Sequence, residues 1–295
     1  MNARPLFQAL RIGFALACLC ALPGARAGQF ILMPEGTVTL IRATTVFDVD
    51  APVALEPGDL LATPAQGGAQ LEADGTTVAL GPDTRIGIEA APGGDALALL
   101  SGWVKIARTQ PITTDSLSIH TAALDAAMRD GAAVLHASRD TTSLFIETGG
   151  MTLALPGHAD DRRPLDGEHY AERAAGKPLD VSARPAQPFI SAMPRPFRDP
   201  LAPVRASAKA KRIVMSQGRP ATFADLADWL SAPLGIRSGF VARFRPLALT
   251  EPFRSQVRQN LRTLPEWRRV LCPPSPMPRR GAVVPARAQS TEVES

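Results

Sequence analysis

The chain has 295 residues, 45 % of them apolar and 20 % charged, with 28 prolines and three cysteines. That apolar share supplies one sizeable core or two smaller ones, and so few cysteines exclude a disulfide-stapled scaffold. The formal charge of +4 conceals a polarised molecule: residues 28–160 carry 6 basic and 16 acidic side chains, whereas residues 161–295 carry 23 and 12.

Residues 1–27 read as a secretory signal peptide: Arg4 and Arg11, an apolar stretch over 12–22, then Pro23-Gly24 and the small-residue site Ala25-Arg26-Ala27. The apolar stretch falls short of the about 20 residues that span hydrocarbon, so no membrane span is expected. Neither Cys18 nor Cys20 has a leucine three positions earlier, which argues against a lipoprotein site. Cleavage before Gly28 would send the chain to the periplasm or out of the cell with Cys272 as its one cysteine, and stability would then come from burial.

A run of short strands follows. In 36–43, Val38 and Leu40 alternate with Thr37 and Thr39, giving one buried and one wet face. Over 55–89 the apolar stretches are cut by Pro57-Gly58-Asp59, Gly67-Gly68, Asp74-Gly75 and Gly81-Pro82-Asp83, residues suited to tight turns. Further strands are predicted at 96–100, 103–107, 117–121, 132–138, 142–148 and 151–155. Ser101-Gly102 reads as a break, and Asp130-Gly131 and Gly149-Gly150 as hairpin turns. Such spacing fits a sandwich, a barrel or a β-solenoid.

Residues 158–164 read as a polar loop and 165–170 as a last strand. Prolines at 178, 185, 188, 194, 196, 200 and 203 then preclude a long helix, giving a linker over 176–220. Within it, the segment 189–197, with Phe189, Ile190, Met193 and Phe197, carries enough apolar surface to lie against a neighbouring module. The basic stretch 205–212 lacks aromatic residues and reads as a solvated connector, with no nucleic-acid partner. A small helical module is predicted over 221–272. Thr222 would cap a helix presenting Phe223, Leu226, Ala227 and Leu230. A second helix over 238–245 carries Phe240, Val241 and Phe244 and ends at Pro246; a third over 251–263 carries Phe253, Val257 and Leu261. Pro265-Glu266-Trp267 then opens a short turn, and the tail 273–295 is too poor in apolar residues to order itself.

The ordered set GTVTLIRA, L-x-PGD-x-L-x-T, L-x-x-DGTTVALGPDTRI and LSGWVKIA, spread over residues 36–155, resembles the FecR-domain family, extracytoplasmic β-rich modules named after a ferric-citrate transport regulator. The resemblance implies a mainly β domain over 28–175, a twisted β-solenoid or sandwich, used for protein contacts without cofactor or catalysis. One departure falls at 122–131, where family members commonly carry an Arg-Gly-Thr turn. The pieces ADLADWL, GFVARFRPL and PEWRRVL resemble a small helical module at the C-terminal end of some FecR-domain proteins, with no function attached.

Reactive constellations are hard to find. His120, His136, His158 and His169 lack the helical spacing or cysteine company of a zinc site; His158 beside Asp160 and Asp161 is the best metal candidate of a poor set. There is no G-x-S-x-G elbow, and His136, Ser138 and Asp140 lie too close along one strand to form a triad. The paired glycines lack phosphate-loop spacing. The strongest binding candidate is an arginine and aromatic surface on the helical module: Trp229, Arg237, Arg243, Arg245, Arg258, Trp267 and Arg268. The competing reading makes both tryptophans core and the arginines a wet rim. These features predict an exported, non-catalytic adaptor whose partner is an envelope protein or an anionic cell-wall component. The alternatives are an iron-regulator-type transmembrane signalling protein and a cell-wall-active enzyme.

Overall fold

A computed structural model describes residues 30–73, 75–91, 94–109, 116–202 and 217–272. The predicted signal peptide, the basic stretch 205–212 and the tail from 273 lie outside the described residues.

The turn-punctuated region folds as β structure. Strands β1 (Ile31–Glu35), β2 (Val38–Arg42), β3 (Thr45–Val49), β4 (Val53–Ala54), β5 (Leu60–Ala62), β6 (Gly68–Ala73), β7 (Thr76–Leu80) and β8 (Arg85–Ala91) are short because the predicted turns interrupt them. Side-chain bonds to backbone hold these turns together. Buried Asp59 accepts from Arg42 Nε at 2.9 Å and from the Glu56 amide at 2.8 Å. The Thr63 hydroxyl donates to the Gly81 carbonyl at 2.6 Å and accepts from the Thr84 amide at 2.9 Å. The PGD and GPDT motifs are therefore structural staples, satisfying polar groups that burial would otherwise strand.

Beyond residue 93 the strands lengthen: β9 (Gly94–Arg108), β10 (Leu117–His120), β11 (Asp125–Ala137), β12 (Thr141–Leu155), β13 (His158–Asp166), β14 (His169–Ala174) and β15 (Asp180–Ser182). Three predicted boundaries are corrected here. Ser101-Gly102, Asp130-Gly131 and Gly149-Gly150 do not turn the chain; they lie inside β9, β11 and β12, and Gly131 faces Gly149 across a register shift. Their glycines serve bulges that bend long strands. The predicted loop 158–164 is also a strand, paired to β12 from Gly150 to Leu155. Charged side chains and Pro164 suit an edge that faces water.

All the strands belong to one open sheet of 16 strands, mostly antiparallel, with β9 and β10 parallel. The long strands each serve two halves of it. β9 pairs with β8 along its first part and with β7 along its second. The halves share one core, in which Leu40, Leu61, Ile86 and Leu97 of the first meet Leu71, Val78, Ile106 and Leu135 of the second. Each such side chain contributes about 1.5–3 kcal/mol by leaving water. The architecture is thus mainly β, an open sheet folded on itself like a sandwich, followed by a small helical module.

Each outer face carries its own cover. A strap made of α1 (Gln187–Ala192) and the 3-10 turn Arg195–Arg198 lies on the second half, with Phe189, Met193 and Phe197 packed on Val134 and Tyr170, as their apolar character predicts. Beneath it, Lys105, only 1 % exposed, donates to Glu147 Oε1 at 2.8 Å and to the Phe197 and Asp199 carbonyls at 2.9 and 3.0 Å.

The first half is covered by the helical module. It enters through β16 (Arg219–Pro220), which pairs with β3, and continues as α2 (Phe223–Leu230), α3 (Leu234–Arg237), α4 (Phe240–Phe244), α5 (Phe253–Gln259) and α6 (Arg268–Leu271). Thr222 caps α2 as expected, in a box with Asp225. The second predicted helix is confined to α4, and the third ends at Gln259 rather than Thr263. There Asn260 donates its side-chain amide back to the Gln256 carbonyl at 2.8 Å, a local bond that competes with helix continuation. No helix among the described residues is long and apolar enough to cross a membrane.

Candidate functional site

Alternation along the strands decides what meets the helical module. In β2, β5 and β9, Leu40, Leu61 and Leu99 point into the sandwich, so Ile41, Leu60 and Leu100 point out and pack with Trp229, Phe240 and Phe244. The two tryptophans are core: Trp229 is 2 % and Trp267 0 % exposed. This takes Trp267 off the binding surface and leaves Trp229 only as part of the lining of the groove between module and sheet. The physical reason is that a module of so few short helices needs its largest apolar side chains inside.

Two of the candidate arginines are also structural. Arg243 donates from all three guanidinium nitrogens to the carbonyls of Ala43, Ile41 and Gly58, at 3.0 Å for the first two. Burial pulls its pKa down to about 10, against the opposing field of Asp59. Arg237 donates to the Leu230 carbonyl at 2.6 Å and to the Thr263 carbonyl at 3.2 Å, and its Nε lies 3.2 Å from Glu266. Arg245, Arg258 and Arg268 remain exposed on the outside of the module, as do Arg262 and Arg269. Of the seven candidates, Trp229 and Arg243 line a common space.

That space is a groove of about 500 Å³ between the module and the sheet. Its floor is Leu60, Gly87 and Ala98, its helical wall is Trp229, Ile236 and Phe240, and Glu89 and Arg243 are its charged lining. Glu89 has a neighbour, His120, that sequence reasoning placed in an ordinary strand. On β10, His120 pairs with Ala98 of β9, and on β8 Glu89 pairs with Ala96, which sets the two side chains on one face. His120 Nε2 lies 3.9 Å from the Glu89 carboxylate, while its Nδ1 is 3.0 Å from Asp125. The bond to Asp125 raises the His120 pKa, with burial opposing; burial raises that of Glu89, with His120 opposing. The sequence places His120 only within a predicted strand, and the pairing of β8, β9 and β10 is what brings it to Glu89.

The remaining histidine candidates have other surroundings. His136 stacks on Trp103 with ring centroids 4.4 Å apart, and Ser138 donates to the Thr141 carbonyl at the β11–β12 hairpin. His158, Asp160 and Asp161 are exposed along β13, and among the described residues no group of three or more His, Cys, Asp or Glu side chains could hold a metal ion. Cys272 is exposed and free.

No protein-family model matches the chain, and no curated protein matches it in sequence. Two crystal structures of a proposed anti-sigma factor from Parabacteroides distasonis ATCC 8503 are similar in part, at 14 % and 13 % identity and a TM-score of 0.38 each. Each match covers 45 % of this chain and 62 % or 63 % of the other, so the chain spans less than two thirds of those proteins.

Proposed function

We propose that the protein is an exported, non-catalytic binding or adaptor module of the bacterial envelope, built in the manner of FecR domains. The basic outer side of its helical module meets an anionic partner, either a wall component or an acidic protein surface. One observation carries this reading: Arg245, Arg258, Arg262, Arg268 and Arg269 are all exposed on a module of some fifty residues whose tryptophans are buried and whose Arg237 and Arg243 are bonded to backbone carbonyls. Unneutralised charge of one sign attracts an oppositely charged surface and makes association sensitive to salt.

The test is crosslinking in intact envelopes followed by fractionation at low and high salt, with wild type beside the variant Arg245→Glu, Arg258→Glu, Arg268→Glu. The expected result is a processed chain in the envelope fraction with a reproducible crosslinked partner, lost in high salt and in the variant. A chain retained in the cytoplasm, or association indifferent to both salt and charge reversal, overturns the proposal.

A further inference from the structure

The groove between the helical module and the sheet has a chemistry opposite to the outer arginines. Its one lining guanidinium, that of Arg243, directs one N–H of each nitrogen at a backbone carbonyl and lies in the field of Asp59, away from Glu89. The other charged group of the lining, Glu89, accepts no hydrogen bond among the described residues; the nearest basic group there is His120 at 3.9 Å, which Asp125 holds from its other nitrogen. Two carboxylates thus face one imidazole, and the sheet end of the groove carries surplus negative charge. The floor belongs to the acidic half of the chain, which adds to that field.

The rest of the lining is apolar or bare. Trp229, Phe240, Ile236 and Leu60 form the trough. Gly235 and Gly239 form part of its mouth, and a Cβ added at either meets nothing within 4 Å, so an incoming chain can approach backbone there. Leu234, next to Gly235 in the chain, is 62 % exposed. The volume lies in the range of about 300–1,000 Å³ that accepts a few side chains or a small ligand.

We propose that this groove binds a protein segment in which an apolar side chain is adjacent to a basic one, the apolar group seated against Trp229 and Phe240 and the cation on Glu89. Charge complementarity selects against an acidic segment, and the trough selects against a polar one.

The experiment uses the full chain and three fluorescein-labelled peptides of equal length, built on one Gly-Ser frame around a central Leu-Lys, Leu-Glu or Ser-Lys pair, with binding read by fluorescence anisotropy. The Leu-Lys peptide is expected to bind, and the other two to bind at least about tenfold more weakly, the loss of one charge-assisted contact or one buried side chain. Glu89→Gln, which keeps size and shape, should weaken Leu-Lys binding about tenfold while leaving the thermal midpoint within error. Gly239→Leu, which fills the mouth from a position with open space, should abolish it. Leu-Glu binding as tightly as Leu-Lys, or Leu-Lys binding that neither substitution changes, overturns the proposal, as does the absence of Leu-Lys binding to the wild type. None of these outcomes depends on the outer arginines.

Discussion

Gly131 on β11 lies directly opposite Gly149 on β12, and both hold left-handed backbone, with φ of +106° and +75°. A Cβ on Gly131 would fall 2.1 Å from the Thr148 carbonyl oxygen, and one on Gly149 2.4 Å from that of Asp130. Backbone must move in either case. Gly131→Ala and Gly149→Ala are each expected to lower unfolding free energy by at least about 2 kcal/mol, through strain added to a broken ladder. Gly157→Ala is the control, at positive φ but with open space around it, and should cost only about 1 kcal/mol. Urea melts of the three variants check the difference; equal losses would mean that the pair is not a tight bulge.

The same glycines show where sequence reading stopped. Asp-Gly and Gly-Gly report a need for unusual φ, but a hairpin turn and a bulge share that need, and the two differ only in what pairs across the chain. Turns at 57–59 and 81–83 were legible because proline, glycine and aspartate there coincide with ends of short apolar runs. The strand 158–166 was hidden, because an edge strand protected by Asp160, Asp161, Arg162 and Arg163 has the composition of a loop. The helical core of Leu226, Phe240, Phe244, Phe253 and Val257 was visible in its spacing. The groove was not, because Glu89 and Phe240 come to line one space only through strand order and docking.

Lys105 is the hub under the strap, and its ammonium has three acceptors, one of them a carboxylate. Lys105→Met would strand Glu147 and two carbonyls in a poorly hydrated place. The expected loss is about 3 kcal/mol, in the range for removing one partner of a buried pair. The effect should be local as well: limited proteolysis ought to cut within 187–199 in the variant at protease levels that leave the wild type intact. Unchanged cleavage would show that Phe189 and Phe197 alone hold the strap.

Arg243 joins the helical module to the sheet through a planar fork that reaches three carbonyls on separate residues. Lysine keeps the charge and loses the fork. Arg243→Lys is therefore expected to destabilise by about 2 kcal/mol, two lost charge-assisted bonds less what the ammonium recovers. Hydrogen exchange should locate the change, with amides of α2 and α4 losing protection while β6 and β7 keep theirs. Uniform loss across the molecule would mean that module and sheet unfold as one unit.

The start of α2 couples stability to acid. Asp225 accepts from Arg219 Nη1 and Nη2 at 2.7 Å each and from the Thr222 amide at 2.8 Å. The Arg219 bond, followed by the Thr222 bonds, holds its pKa far below the usual carboxylate range, burial opposing. A depressed carboxylate contributes stability above its unfolded pKa and loses it as pH falls through the folded one. Asp225→Ala should cost about 1 kcal/mol near neutrality, as for loss of a helix cap. The difference between variant and wild type should shrink as pH falls below about 4, the unfolded carboxylate value. Chemical denaturation at several pH values checks it; a constant difference would point to lost packing instead.

His120 and His136 are expected to titrate in opposite directions from the free imidazole. His120 is flanked by Asp125 and Glu89, and the bond to Asp125 outweighs burial, raising its pKa. His136, stacked on Trp103, is pushed down by burial, with Glu172 only partly offsetting. NMR titration of the ring protons should therefore give midpoints on either side of about 6.5, His120 above and His136 below. The sign for stability follows from linkage. The raised His120 contributes below the unfolded value and its contribution is lost as pH rises through the folded one, so melts should show a decline over that window that His120→Gln removes. Asp125→Asn should lower the His120 midpoint, since the charged hydrogen bond that supports the imidazolium is gone while burial remains. A His120 midpoint below that of His136 would mean that the carboxylates of β8 and β11 do not act on this imidazole, and the charge surplus assigned to the groove would have to be recounted.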